Sequence, residues 1–231
     1  MIALMIAKFV AVAVIGYLLG SVPFGALIGK RVARVDVRDY GSGKTGATNV
    51  LRVAGKKAAV LVILLDALKG AVAVLLAGLI VGGNYLVWRD FGLGLMAAQV
   101  IAALAAMAGH NWPIFLKFRG GRGVATFFGG LLALCPVVAL FSSEVFILGA
   151  GLTRFASLGS IAGVVGTYAI LVPLTVLNGF PIEYLIYALI GTVAIIVMHR
   201  GNIARLLSGK ERRLGDRVEN VNSPPSRHDT G

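Results

Sequence analysis

The sequence predicts an all-α integral membrane protein, a seven-transmembrane-helix bundle with short cytoplasmic loops that carry function. Three observations lead there. Of the 231 residues, 58% are hydrophobic and only 14% charged, with a mean hydropathy of +0.87, whereas soluble domains carry about 45–50% apolar and about 25% charged residues. The apolar residues are gathered into runs long enough to cross a bilayer, which takes about 20 residues because hydrocarbon cannot satisfy an open backbone. The cations fall between those runs rather than on a polar domain, which disfavours nucleic-acid binding despite a formal charge of +12. The same composition argues against a soluble enzyme and against a disordered chain. A single cysteine, Cys135, rules out an internal disulfide framework.

The spans follow in chain order. Ile2 to Ile28, Ala58 to Val81, Phe91 to Ala108 and Leu158 to Leu177 each meet the length requirement, and Tyr184 to Met198 supplies a fifth. Val124 to Leu152 is also apolar but contains Pro136. It is read as two short helices turning near Cys135-Pro136, giving seven spans; a single kinked helix, giving six, is the rival count. The first run is too long for the apolar region of a signal peptide, holds Lys8 inside it and shows no small-residue cleavage pattern, so it is read as a retained helix. The polar tail after Glu211, with Asn222-Ser223-Pro224-Pro225-Ser226, is read as a disordered cytoplasmic extension (212–231) of a membrane domain spanning 1–211.

With seven spans, segments 30–57, 111–123, 152–157 and 199–231 share one side. They hold eight, three, one and seven Lys/Arg, 19 of the 22 in the chain, against Arg89 alone on the other side. The positive-inside rule makes the four basic segments cytoplasmic and the amino terminus external.

Each basic segment offers polar groups. Gly41 to Arg52 contains three glycines that let the backbone approach a ligand, with Ser42, Thr45, Thr48 and Asn49 as neutral donors and Arg52 as a phosphate fork. It reads either as a phosphate cradle or as a flexible basic loop. It is not a Walker A loop, because the Gly-x4-Gly-Lys-[Ser/Thr] spacing is missing. In His110 to Thr126, the Gly120-Gly121-Arg122-Gly123 turn opens directly into an apolar helix, a second anion site; the alternative is an interfacial anchor using Trp112 and Phe115. In His199 to Arg205, a helix continuing through Gly201 would point His199 and Asn202 together, with Arg205 extending the face. Ser157 caps the helix from Leu158 or donates to a ligand, capping being the simpler reading.

Asp66 and Lys69, three apart inside the second span, are expected to pair in the bundle interior, with Lys69 near the polar site. Glu144 has no assigned partner and is placed near the external end of its helix. The three histidines are far apart and no Cys cluster exists, so no metal or other cofactor is expected. No Gly-x-Ser-x-Gly elbow appears either.

Taken together, Gly41 to Arg52, Gly109 to Thr126, Ser157-Leu158-Gly159-Ser160 and His199 to Arg205, in this order, resemble the bacterial acyl-phosphate:glycerol-3-phosphate acyltransferase family, the PlsY type of integral membrane enzyme. The resemblance extends from Gly20-Ser21-Val22-Pro23-Phe24-Gly25 to Gly209-Lys210-Glu211 and includes Asp66-Ala67-Leu68-Lys69-Gly70. It implies transfer of a fatty acyl group from acyl phosphate to the 1-hydroxyl of glycerol 3-phosphate in the bacterial inner membrane, yielding lysophosphatidic acid and inorganic phosphate for phospholipid synthesis. It also implies a seven-span bundle with a cytoplasmic site, membrane lipid as surroundings and no obligate protein partner. By this resemblance His199 and Asn202 lie at the reacting centre. It likewise implies that Ser42, Thr48, Asn49, Arg52, Arg122 and Ser157 help hold the phosphates; Gly46, Gly120, Gly121 and Arg205 complete the expected substrate-binding set. Two positions depart from the family pattern, Lys44 where Asn is usual and Arg122 where Lys is usual; Arg keeps the charge and adds a bidentate fork.

Such a donor is an activated mixed anhydride, so the protein need only hold two phosphorylated substrates together and meet developing charge. A transporter would place its site at the midplane on broken helices, and a lipid-recruiting scaffold would not need glycine turns. An acyltransferase using a His-x4-Asp motif is excluded because Phe115 and Ala204 stand five residues after His110 and His199.

Overall fold

The computed structural model describes residues 2–88 and 91–216. Nine α-helices, two 3-10 turns (Val37–Asp39 and Ile114–Leu116) and one short hairpin make up the regular structure of the described residues. Helices α1 (Ile2–Ser21), α3 (Ala47–Val81) and α4 (Leu95–Asn111) form one half of the bundle. Helices α6 (Pro136–Thr153), α7 (Ala156–Asn178) and α8 (Ile182–Met198) form the other, with the short α5 (Val124–Leu134) between them. Among the described residues four apolar stretches are long enough to cross a membrane, and a fifth if α8 and the bent α9 (Arg200–Leu207) count as one span. Exposed leucines mark the outside: Leu64, Leu68, Leu75 and Leu79 line one flank of α3. This inverted distribution suits a helix surrounded by lipid tails.

Helix pairing relies on small residues. On α1, Gly16 and Gly20 sit four apart, where a Cβ would collide with the Ala102 and Ala106 carbonyls of α4. The two backbones therefore approach as closely as their chains allow. The other half has an aromatic centre: Phe127 and Tyr187 stack at 4.9 Å, and the Tyr187 hydroxyl donates to the Phe127 carbonyl at 2.8 Å.

Several expected boundaries shift for identifiable reasons. The first run is not one straight helix: it breaks at Val22-Pro23, and α2 (Phe24–Val32) follows. Proline lacks the N–H and pushes its predecessor out of the helical region. Helix α3 starts at Ala47 rather than Ala58, with a kink at Gly55 (φ 84°) inside it. Phe91 belongs to a hairpin instead of a span: β1 (Leu86–Trp88) pairs antiparallel with β2 (Phe91–Leu93), and α4 starts after it. The break near Cys135-Pro136 is present, with Cys135 extended between α5 and α6. The chain does not continue as one helix through Gly201; it bends by 61° between α8 and α9. Glu144 is exposed at the middle of α6 rather than near its end. The tail expectation falls mostly on 217–231, outside the described residues, while Leu214 N–H donates to the Arg154 carbonyl at 2.7 Å.

Candidate active site

The four basic segments converge on one cleft of about 390 Å³, its mouth included. Its walls come from the loop before α3, the first turns of α3, the turn before α5, the start of α7 and the α8–α9 corner with the strand of chain that follows.

Loop 33–46 is held by Asn49. Its buried amide Nδ2 donates to the carbonyls of Val37 (2.6 Å), Tyr40 (3.0 Å) and Lys44 (2.9 Å), while Oδ1 accepts from Ser42 N–H at 3.2 Å. This arrangement sets the Ser42 side chain at the cleft. Thr48 and Arg52 stand four apart in the first turns of α3, so both face the cleft from one side of the helix. The Arg52 Nη2 reaches the carbonyls of Arg212 and Arg213 at 3.4 Å each, and its buried Nε has no partner among the described residues.

Arg122 enters from the turn before α5. The glycines ahead of it bring the backbone against the end of α4: Gly120 N–H donates to Asn111 O at 3.2 Å and Gly121 N–H to His110 O at 3.0 Å. A Cβ on Gly121 would strike the His110 ring. Burial lowers the Arg122 pKa to about 10 against the opposing charge of Glu211, leaving the guanidinium protonated at neutral pH. Its Nε is buried without a partner among the described residues.

His199 occupies the corner between α8 and α9 and is 2% exposed. Its Nδ1 lies 2.8 Å from the Ile195 carbonyl. A carbonyl only accepts, so the hydrogen belongs on Nδ1 and Nε2 is left as the ring's acceptor. Burial, reinforced by the charge of Arg122, pushes the ring down to about 4. The imidazole is therefore neutral at physiological pH.

Across the cleft, Glu211 gathers three side chains. Its Oε1 accepts from Ser157 Oγ at 2.8 Å and from Asn202 Nδ2, and its Oε2 accepts from Arg205 Nε at 2.8 Å. Burial alone would raise this carboxyl, but hydrogen bonds from Asn202, Ser157 and Arg205 outweigh it and hold it below the ordinary carboxylate range. With Arg52, Arg122, Arg205 and Arg212 lining the cleft and Glu211 the lone acid among its lining residues, the site is built for anions.

Ser42, Thr48, Arg52, Arg122, Ser157, His199, Asn202 and Arg205 thus line one cavity, as the sequence reading grouped them. Four expected residues stand behind its walls instead. Asn49 fastens the loop, Gly46 caps α3 with its carbonyl, and Gly120 and Gly121 pack the turn against α4. Ser157 is not a cap; Phe155 precedes the helix and the Ser157 hydroxyl serves Glu211. His199 and Asn202 meet across the helix bend, not along a continuous face. Lys69 pairs with Asp66 at 2.8 Å as expected but is not among the residues lining the cleft. Sequence reasoning missed Glu211, Ser160 and Arg212 as lining residues. The available signal for Glu211 was its position as a single acid among Arg205, Lys210, Arg212 and Arg213.

A family model described as "Glycerol-3-phosphate acyltransferase" matches residues 10–209. Glycerol-3-phosphate acyltransferase 3 of Dehalococcoides mccartyi (strain CBDB1) is 61% identical over 93% of this chain and all of its own length. The glycerol-3-phosphate acyltransferase of Clostridioides difficile (strain 630) is 41% identical over 92% of this chain and 98% of its own. Among solved structures, the glycerol 3-phosphate form of PlsY (YgiH), an integral membrane glycerol 3-phosphate acyltransferase, superposes with a TM-score of 0.77 at 38% identity, covering 90% of this chain and 96% of the other. A second form of the same enzyme, with lysophosphatidic acid, gives 0.75 at 37% identity, covering 90% and 95%. The chain belongs to the glycerol-3-phosphate acyltransferase family of integral membrane enzymes.

Proposed function

We propose that the enzyme transfers a fatty acyl group from acyl phosphate to the 1-hydroxyl of glycerol 3-phosphate, releasing lysophosphatidic acid and inorganic phosphate. The observation that carries this reading is the cleft itself. It brings four guanidinium groups and a neutral imidazole together, while its serine, histidine and glutamate are not wired as a relay: His199 Nδ1 bonds the Ile195 carbonyl and Ser157 Oγ bonds Glu211. Such an inventory suits a donor that arrives activated. The acceptor oxygen attacks the carbonyl carbon, the bond from that carbon to the bridging oxygen breaks, and the leaving phosphate keeps that oxygen and its electron pair.

Arg52 and Arg122, with Ser42 and Thr48, would hold one phosphate, and Arg205 and Ser157 the neighbouring region where the second lies. His199 Nε2 would accept a hydrogen bond from the attacking hydroxyl and orient it, with Asn202 beside it. A ring held at about 4 does not retain a proton against a phosphate whose second pKa is about 6, so the hydroxyl proton ends on the departing phosphate. Arg122 and Arg52 meet the charge that develops there. Asn49, Gly46, Gly120 and Gly121 act as supports that fix these donors in place. The apolar tail of the donor would remain in the bilayer. The positive-inside count supports a seven-span arrangement with α4 and α5 as short spans, an external amino terminus, and the cleft and residues 212–231 on the cytoplasmic side of a bacterial inner membrane.

The test is phosphate release by purified protein in detergent, with acyl phosphate offered in the presence and absence of glycerol 3-phosphate. Release should require both substrates, and acyl-CoA should not replace acyl phosphate. Equal turnover with acyl-CoA would remove the donor assignment.

A further inference from the structure

A second cluster of ionisable groups lies outside the cleft, buried where α3, α4 and the α1–α2 break meet. Lys69 Nζ is 2.8 Å from Asp66 Oδ1, and His110 Nδ1 is 3.4 Å from the same oxygen. All three side chains are nearly inaccessible, at 5%, 2% and 7% exposure. Charges so deep in a membrane protein carry a large desolvation penalty, and nothing in the acyl transfer uses them directly.

The contacts of the cluster lead to both walls of the cleft. On one side, Gly121 presses its Cα against the His110 ring, and Gly121 N–H donates to the His110 carbonyl at 3.0 Å. The next residue is Arg122, whose guanidinium lines the cleft. On the other side, Lys69 Nζ donates to the Val22 carbonyl at 3.1 Å, at the break that starts α2. Gly25 of α2 lies directly against the Thr45 carbonyl, in the loop that presents Ser42. One carboxylate oxygen therefore stands within 3.4 Å of both the cation that bonds the α2 side and the ring that packs against the Arg122 turn.

We propose that Asp66, Lys69 and His110 form a positioning triad that sets the separation of the Arg122 and Ser42 walls, and so the affinity of the cleft for a phosphate monoester. The inference rests on the reading that this cleft holds the substrate phosphates. The three groups touch no substrate; they act through the Gly120-Gly121 turn and through the α1–α2 break.

The test uses the full chain in detergent and the paired variant Asp66→Leu/Lys69→Met, which removes both charges at similar volume and leaves no uncompensated ion. Replacing a buried pair in this way is often neutral for stability. The readouts are the midpoint of thermal unfolding with and without glycerol 3-phosphate, and KM and kcat for that substrate. The paired variant should unfold within a few degrees of wild type, yet its KM for glycerol 3-phosphate should rise about tenfold with a smaller change in kcat, inside the coupling range of residues in one network. Combined with Arg122→Ala, the same pair should add almost nothing. A purely structural role would lower the amount of active enzyme, and so kcat, while leaving KM unchanged. An unchanged KM, or an equal loss in the wild-type and Arg122→Ala backgrounds, would overturn the proposal. Should the paired variant fail to insert, His110→Gln leaves the ion pair intact and carries the same expectation for KM. Absence of any glycerol 3-phosphate stabilisation in wild type would instead defeat the reading of the cleft, a result distinct from failure of the triad.

Discussion

Replacing His199 with Asn should flatten the acid side of the protein's stability profile. The folded ring is 2% exposed and bonded to the Ile195 carbonyl, and burial with the neighbouring Arg122 charge holds it at about 4. Unfolding returns it to its ordinary value of 6.5. Between those values the unfolded chain binds a proton that the folded chain refuses, so this group's contribution is intact at pH 7.5 and is lost as pH falls through the window. The displacement from 6.5 to about 4, at ~1.36 kcal/mol per unit, amounts to about 3 kcal/mol. At pH 4.5 the folded ring has not fully titrated, so about 2.5 kcal/mol of this is lost there; for a chain of this size each kcal/mol moves the unfolding midpoint by about 2–4 °C, so wild type should lose about 5–10 °C more than His199→Asn between pH 7.5 and 4.5. Thermal unfolding in one detergent, followed by tryptophan fluorescence at both pH values, gives the difference directly. Comparing the two proteins cancels the carboxylates and the other histidines. Parallel midpoint curves for the two would refute a buried, neutral His199.

Three further outcomes follow from particular contacts. Glu211→Gln keeps one acceptor for Ser157 and Asn202 but presents an amide to Arg205; losing one charge-assisted bond of about 2 kcal/mol should lower kcat/KM about 30-fold in the phosphate-release assay, and wild-type values would show that Glu211 does not organise the cleft. Gly121→Ala forces a methyl into the His110 ring and should destabilise by about 1–3 kcal/mol, the usual range for overpacking; Gly46→Ala, with open space around it and φ of −69°, should be close to neutral, and reversed midpoints would contradict this packing. Arg52→Ala should abolish measurable turnover while leaving expression and membrane insertion as in wild type, measured by rate and by detergent-extracted yield.

Where the sequence was informative, it was informative through local rules. Pro136 announces a break because a missing N–H is a property of one residue, and α5 and α6 part there. Pro23 carries the same signal, but a hydropathy average is blind to it, and the α1–α2 break stays hidden inside one apolar run. The hairpin at Leu86–Leu93 is hidden for the same reason: Phe91, Leu93 and Leu95 are as apolar as helix residues. Charge asymmetry grouped the four basic segments, since it depends on totals and not on geometry. What it could not supply was the pairing within the group. Asn49 looked like a ligand because its amide resembles every other neutral donor in the loop, whereas its three carbonyl partners are fixed only when the loop closes. Glu211 went unrecognised because its partners Ser157, Asn202 and Arg205 lie 54, nine and six residues away and converge only through the α8–α9 bend and the chain reversal after α9.

That bend explains how so small a set of groups can form one anion-binding cleft. A straight continuation of α8 would carry Asn202 and Arg205 away from the bundle along the helix axis. The 61° turn at His199 instead lays α9 across the bundle end, so that Asn202 and Arg205 reach Glu211 together with Ser157 from α7. His199 pins the corner from within: its N–H and ring both bond to the Ile195 carbonyl, and its own carbonyl accepts from Asn202 N–H at 2.8 Å. The residue that would orient the attacking hydroxyl is therefore also the pivot that places the anion-binding arm. Bending at this position separates the two functions poorly by mutation but couples them well in the fold, because any movement of the arm displaces the imidazole with it. Glu211 then balances part of the positive charge that the arm brings, which keeps four guanidinium groups close together before any phosphate arrives. A cleft assembled in this way is set for anions in advance, and the proposed reaction, driven by approximation, would gain its rate there.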